Sequence, residues 1–172
     1  MTGGAKLAVL VFVWLRDTLD RMSGAERFPL TGTEDDPRIL AQWASECVER
    51  VLPLFEERHP EDDRPRKAVE AARAFARGEI GIGAARQAAV AAHAAARFAA
   101  DPAARAAARA AGQAAGIAHM AGHARHAADY AVKAVSASVP SDGTAGAHER
   151  KRQYASATDP VRTWVYPEGA PG

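Results

Sequence analysis

Three histidines, His119, His123 and His126, lie close together in an alanine-rich stretch of the chain. On one continuous helix, residues three and four positions apart share a face, so the three imidazoles would be neighbours. Three nitrogen ligands with an open position suit zinc, or iron if a carboxylate joins them. Asp129 lies within reach for that carboxylate, and His93 is a further candidate ligand from a facing helix. The spacing raises the hypothesis of a metal site.

Other features of the same stretch argue against that hypothesis. It contains no Glu-x-x-His or His-Glu-x-x-His pattern, and no acidic residue lies close before the histidines to act as a base. Gly122 interrupts the stretch and weakens the helical register on which the metal site depends. We therefore expect one or two of these histidines to be hydrogen-bonded residues of a helical core.

A second candidate site is the charged stretch "EDDRPRKAVEAARAFARGE". Asp62 and Asp63 lie at a predicted helix start, where negative charge meets the positive end of the helix dipole. Charges of both signs follow at three- and four-residue spacing: Arg66, Lys67, Glu70 and Arg73. This spacing predicts a ladder of ion pairs within one helix. Such ladders are usually solvated faces, so a binding role requires a partner that recognises the charges.

The sequence offers little support for nucleophilic or phosphate chemistry. None of its serines lies in a Gly-x-Ser-x-Gly elbow, and no Walker loop is present. The glycines of "GEIGIGAAR" precede a predicted helix and could receive an anion, but a linker is the better interpretation. Cys47 is the single cysteine, which excludes an intrachain disulfide and a thiolate zinc cluster. Its place on an apolar helix face predicts a small buried side chain.

Length and composition indicate how these residues are held. The chain has 172 residues, the size of one domain, and is 48% hydrophobic but only 6% aromatic, with much of the apolar total in alanine. Alanine favours helix and supplies little volume, so helices built from it must approach closely. We predict an all-α fold, a single compact bundle of about five or six closely packed alanine-rich helices. The formal net charge of +1, without a sustained basic segment, argues against a nucleic-acid partner.

Prolines and glycines predict where the helices begin and end. Asp36 before Pro37 and Asp101 before Pro102 are typical helix starts. Pro53 should kink or divide the first helix. Further helices are expected over residues 65–77, ended by Gly78, over 84–99, and over 148–155. The segment from residue 102 to 139 should break between its glycines at 112 and 122.

The two ends of the chain are predicted to lie outside the helical domain. The apolar run from Leu7 to Leu15 is about half the length that a bilayer requires, and no secretory cleavage pattern follows it. We therefore expect a cytoplasmic protein with no membrane contact. Residues 1–33 are predicted to be an N-terminal extension with an extra helix as one alternative. Residues 1–21 are expected to lie outside the core, as an upstream extension or a loosely attached extra helix. Residues 34–157 form the helical domain, and residues 158–172 are expected to be an irregular tail that folds back through Trp164 to Tyr166.

The chain resembles a family of small, all-helical bacterial immunity proteins linked to polymorphic toxin systems. The resemblance covers about residues 38–155, and its specific parts are "LPLFEE" and "DDRPRK". The matching positions are Trp43, Leu52, Pro53, Phe55, Glu56, Asp62, Asp63, Arg64, Pro65, Arg66, Lys67, Glu70, Arg73, His93, His119 and His123. The chain departs from the family at Phe75, where Trp is common, and at Arg125 and His126, where the family is more apolar.

The resemblance implies a binding protein, without catalytic residues, that sequesters a cognate toxin through a charged helical face. The predicted binding residues are Asp62, Asp63, Arg64, Arg66, Lys67, Glu70 and Arg73. Since His126 is not a family feature, we predict that it faces solvent, whereas His119 and His123 face the interior near His93.

Two other functions remain open. One is a small helical enzyme or metal-dependent accessory protein of a biosynthetic pathway. It would use a polar pocket of His93, His119 and His123 with Asp63 or Glu70, and zinc or iron as its metal. The other is a structural protein that forms homo-oligomers through its alanine faces.

Overall fold

The computed structural model describes residues 37–172, and every regular element in that range is an α-helix. The helices are α1 Pro37–Glu49, α2 Pro53–Glu56, α3 Arg64–Ala76, α4 Ile82–Phe98, α5 Pro102–Gly116, α6 His123–Ser138, α7 Ala145–Ser156 and α8 Asp159–Val165. The all-α class is confirmed. Five or six helices was too low a prediction, because the described part also forms two short ones, α2 and α8. Among residues 37–172, no helix combines the length and apolar character needed to cross a bilayer. The predicted N-terminal extension lies outside the described residues.

Proline and glycine set several helix boundaries as expected. Pro53 divides the first predicted helix, since α1 ends at Glu49 and α2 begins at the proline. Asp101 caps α5, its carboxylate accepting a hydrogen bond of 2.8 Å from the backbone N–H of Ala104. Gly78 has a φ of +74°, a left-handed conformation that glycine adopts without steric cost, and it follows the end of α3. The predicted break after α5 begins beyond Gly116.

The C-terminal tail is more regular than predicted. Residues 159–165 form α8, and Pro160 occupies a position in its first turn, as proline does at the starts of α3 and α5. The expected return of the tail onto the bundle is confirmed, because Val165 is buried and Tyr166 packs its ring edge-on against Trp43. The centroids of these two rings are 6.2 Å apart.

Helix α5 is the centre of the bundle. It packs against α1, α2, α3, α4 and α6, most extensively against α4 and α6. Eleven of its 15 residues are buried, and all of these are alanine or glycine. Because these residues project little beyond the backbone, α4 and α6 can approach α5 closely from either side. Most of the larger core side chains come from the part of the chain before α4: Leu40, Val48, Val51, Leu52, Phe55 and Val69.

A buried polar network attaches α7 to α1 and α6. The Glu149 side chain is only 1% exposed and accepts hydrogen bonds from Arg50 at 3.0 Å and from Arg152 at 2.9 Å. The Gln153 amide donates to the same carboxylate and to the carbonyl of Ala128, each at 3.1 Å. Tyr166 donates its hydroxyl to the Gln153 side-chain oxygen at 3.1 Å. A buried carboxylate needs such partners, because an unpaired charge there would be strongly destabilising.

Cys47 lies beside this network and is fully buried, as predicted. Burial raises the pKa of its thiol to about 12, although the nearby Arg50 guanidinium opposes the shift. The thiol is therefore protonated at neutral pH, and the thiolate is the nucleophilic form. A core role fits this position better than a reactive one.

Candidate functional site

The charged stretch "EDDRPRKAVEAARAFARGE" includes the residues just before α3 and the whole of that helix. Three of its predicted binding residues, Asp63, Lys67 and Glu70, are exposed. The other four are partly buried: Asp62, Arg64, Arg66 and Arg73. The exposed and partly buried groups have different partners, so the stretch is not one uniform surface.

Arg66 is the centre of a salt-bridge cluster that joins three helices. Its guanidinium donates to both carboxylate oxygens of Glu56 on α2, at 2.8 and 2.9 Å. It also donates to Glu49 at the end of α1, and the Arg73 guanidinium lies 3.1 Å from the second oxygen of that carboxylate. Neighbouring carboxylates favour the charged guanidinium and raise the pKa of Arg66. We call Glu49, Glu56, Arg66 and Arg73 the Arg66 cluster.

This pairing corrects the predicted ladder within α3. Arg66 and Arg73 form ion pairs with α1 and α2, whereas Lys67 pairs with Asp63 at 2.8 Å. The prediction considered partners on the same helix, but the folded chain brings Glu49 opposite both arginines. Two of the predicted binding residues therefore help to hold α1, α2 and α3 together.

The start of α3 carries two further local pairs. The Arg64 guanidinium and backbone N–H both donate to Asp62, at 2.7 and 3.2 Å, and the hydrogen bonds lower the pKa of that carboxyl group. Asp63 acts similarly on Lys67, raising the pKa of its ammonium. Both pairs are accessible to solvent, so they can be exchanged for contacts with another molecule at modest cost.

The histidines gather where α4, α5 and the start of α6 meet. His93 packs over Gly112 of α5, so closely that a Cβ atom on this glycine would lie 2.6 Å from the imidazole Cε1. The Nδ1–H of His123 donates to the side-chain oxygen of Gln113 on α5. The rings of His119 and His123 have centroids 5.0 Å apart. The structure thus places His93 of α4 and His123 of α6 against the same helix, α5.

Burial corrects one part of the histidine prediction. His123 and His93 are partly buried and His126 is exposed, as expected, but His119 is also exposed. The reason is that α6 begins only at His123, so His119 lies in the connection between α5 and α6 rather than on the inner face of a helix. The interior position predicted for His119 was wrong.

Burial and neighbouring positive charge disfavour protonation of these imidazoles. Desolvation, followed by the charges of His119, His126 and His93, lowers the pKa of His123 to about 4. Burial and two arginines, Arg109 and Arg97, lower the pKa of His93. Both rings are therefore neutral at pH 7. A neutral imidazole is the form that binds a metal ion.

The described residues nevertheless do not present a preformed metal centre. Among residues 37–172, no three His, Cys, Asp or Glu side chains are arranged to hold one ion. Asp129, the candidate carboxylate ligand, instead forms an ion pair of 2.6 Å with Arg150 of α7. Zinc or iron binding by His93, His119 and His123 remains a prediction.

A further surface was not singled out by the sequence-based predictions: the outer face of α4. Ile82 is 54% exposed, Val90 60% and Phe98 76%. The alanines of the opposite side pack into the core: Ala85, Ala89, Ala92, Ala95 and Ala96. The three large apolar side chains lie on the half of α4 away from these alanines and are spaced about 12 Å apart along the helix axis. Their positions between the buried alanines were the available sequence signal.

A family model described as "Imm-5 like putative immunity protein" matches residues 31–160, which includes α1 to α7 and the first residues of α8. No curated protein and no solved structure matches the chain. The resemblance expected from the "LPLFEE" and "DDRPRK" motifs is confirmed, and the chain belongs to the Imm-5 like family of immunity proteins.

Proposed function

We propose that the chain is an immunity protein that binds and sequesters a cognate bacterial toxin in the cytoplasm. The observation that carries the proposal is the family match over residues 31–160, which includes the charged stretch of α3. A binding module of this kind acts through a complementary surface and needs no catalytic group.

The geometry of α3 supports a role for its exposed charges. Asp63, Lys67 and Glu70 face solvent, whereas the adjacent Arg66 cluster holds the helix against α1 and α2. A rigid helix presents charges in a fixed arrangement, so less conformational entropy is lost on binding. We propose that these three residues contact the toxin and that Arg66 and Arg73 act mainly as their support.

The test begins with the open reading frames that neighbour the gene. Each product is expressed alone and with the unaltered chain, and growth and complex formation are measured. The proposal expects one product to be toxic, to be neutralised by the chain and to copurify with it. If no neighbouring product is both toxic and bound by the chain, the proposed function is wrong.

A charge exchange then tests the α3 surface. The double substitution Asp63→Lys with Lys67→Glu keeps an oppositely charged pair at the same positions but reverses the field that a toxin would meet. We expect toxin affinity to fall about tenfold or more. Lys151→Glu, on the exposed side of α7, is the matched control and should leave affinity unchanged. Unchanged affinity of the double variant would exclude the α3 surface while leaving toxin binding intact.

One observation favours a second function, a small helical enzyme or metal-dependent accessory protein. The Nδ1 atom of His93 is buried, and no hydrogen-bond partner for it lies in the described part of the chain. Metal analysis after purification without chelators or affinity resins tests this function. Stoichiometric zinc or iron that is lost in His119→Ala would support it, whereas metal-free protein with unchanged stability would count against it.

A further inference from the structure

The outer face of α4 combines exposed apolar side chains with unpaired positive charge. Ile82, Val90 and Phe98 are the three apolar residues, and Arg86 and Arg97 lie among them on the same helix. Within residues 37–172, neither arginine side chain has a hydrogen-bond or ion-pair partner. We call these five residues the α4 patch. Arginine and aromatic side chains are enriched in protein–protein interfaces relative to the rest of the surface.

The chain from the start of α4 onward is mainly positive, and Glu79, the acidic residue just before α4, is paired with Arg77. Residues 81–128 include five arginines and one acidic residue, Asp101, whose carboxylate caps α5. Three of those arginines are already engaged within the chain. Arg105 donates to the carbonyls of residues 99 and 100, Arg109 lies over the ring of Tyr130, and Arg125 donates to the carbonyl of Trp164. Among these five arginines, Arg86 and Arg97 are therefore the two without a partner in the described part of the chain.

We propose that the α4 patch is a second toxin-contact surface, and that the toxin presents there an apolar patch flanked by Asp or Glu side chains. This inference rests on the proposed function. Carboxylates would pair with Arg86 and Arg97, while Ile82, Val90 and Phe98 lose water against the apolar part. A partner without carboxylates would leave both guanidinium groups desolvated and unpaired, which disfavours binding.

The same charges disfavour a second copy of this chain as the occupant. Two α4 helices related by a two-fold axis would bring four arginines into one interface, and α4 contains no carboxylate to pair with them. The neighbouring His119 cannot supply the missing negative charge either. A partner that carries carboxylates can pair with these arginines, whereas a second copy of α4 cannot.

The test uses the full chain and the toxin that the neighbouring reading frames supply, with affinity measured by calorimetry. Arg86→Glu combined with Arg97→Glu tests the charges, and Phe98→Ser separately tests the apolar contact. The matched controls are Lys151→Glu for charge and Val139→Ser for an exposed apolar residue outside the patch. Since all the altered side chains are exposed, circular dichroism and thermal melting should match those of the unaltered protein.

We expect each α4 variant to bind the toxin about tenfold or more weakly, and each control to bind normally. Substitution of an interfacial toxin Asp or Glu by Lys should restore part of the affinity of the Arg86→Glu, Arg97→Glu variant. If the unaltered chain binds the toxin but the α4 variants bind equally well, this inference is overturned while the proposed function stands. If the unaltered chain binds no toxin, both fail.

Two further measurements cover other occupants of the patch. Light scattering detects a dimer, and cosedimentation with vesicles of phosphatidylglycerol and phosphatidylcholine detects a lipid surface. If Phe98→Ser abolished either association without changing toxin affinity, the α4 patch would belong to self-association or to a membrane, and the toxin contact would be overturned.

Discussion

The imidazole of His93 occupies the space above Gly112 that any larger residue would need. A Cβ atom at position 112 would lie 2.6 Å from Cε1 and 2.7 Å from Nδ1 of this ring. Such distances are shorter than van der Waals contact, so the ring would have to move. The glycine in the centre of α5 thus permits α4 and its histidine to pack where an alanine would not.

Gly112→Ala should therefore destabilise the protein by about 1–3 kcal/mol, because displacement of His93 outweighs the higher helix propensity of alanine. In a His93→Ala background the same substitution should stabilise, by up to about 1 kcal/mol, since the obstructing ring is gone. Urea unfolding of the unaltered protein, the two single variants and the double variant measures both effects. Gly83→Ala on α4, with no atom near its Cβ position, is the control and should not destabilise. Equal effects of Gly112→Ala in both backgrounds would contradict the argument.

Glu149 and its partner Arg152 should differ sharply in their effect on stability. Glu149→Ala removes a carboxylate that is 1% exposed and leaves Arg50 without its ion pair, so we expect a loss of about 3–5 kcal/mol. Arg152 is 60% exposed, and Arg152→Ala should cost less than about 1 kcal/mol because Arg50 and Gln153 still bind the carboxylate. Thermal or chemical unfolding gives both values. Similar losses for the two variants would show that the network is not centred on Glu149.

Arg66 and Lys67 are adjacent in sequence but should contribute differently to folding. Arg66→Ala removes charged hydrogen bonds to α1 and α2 and should cost about 1–3 kcal/mol. Lys67→Ala removes one exposed pair with Asp63 and should cost less than about 0.5 kcal/mol. The free energy of unfolding of each variant, measured at low salt and again at high salt, separates the two roles. A larger loss of stability for Lys67→Ala than for Arg66→Ala would show that Lys67, and not Arg66, holds α3 against the other helices.

Much of the helical framework is predictable from local signals. Asp101 with Pro102, the left-handed Gly78 and the dividing Pro53 each act within a few residues, and the structure places boundaries at all three. The same reasoning could have found α8, because Asp159 and Pro160 repeat the Asp-Pro pattern. That segment was predicted as irregular, without use of this local signal.

The candidate sites were less predictable, since they depend on contacts between distant residues. Arg66 and Glu49 lie 17 positions apart, and they meet only because the connection through α2 brings α3 back beside α1. The exposure of His119 depends on where α6 begins, a boundary without a strong capping residue. Charge spacing within one helix therefore assigned Arg66 and Arg73 the wrong ion-pair partners.

His123 should make the stability of the fold depend on pH below neutrality. Its pKa is about 4 in the folded chain, chiefly because of burial, against 6.5 for an ordinary histidine. The unfolded chain therefore binds more protons between these values, and stability that is present above pH 6.5 is lost as the pH falls towards 4. Allowing for partial exposure, we expect a loss of about 1–2 kcal/mol from this residue. Urea unfolding at pH 7 and pH 5 measures it. In His123→Asn, the loss of stability between pH 7 and pH 5 should be smaller than in the unaltered protein. In the control His126→Asn, which alters an exposed histidine, this loss should be unchanged. An identical pH dependence in both variants would show that His123 is not the group responsible.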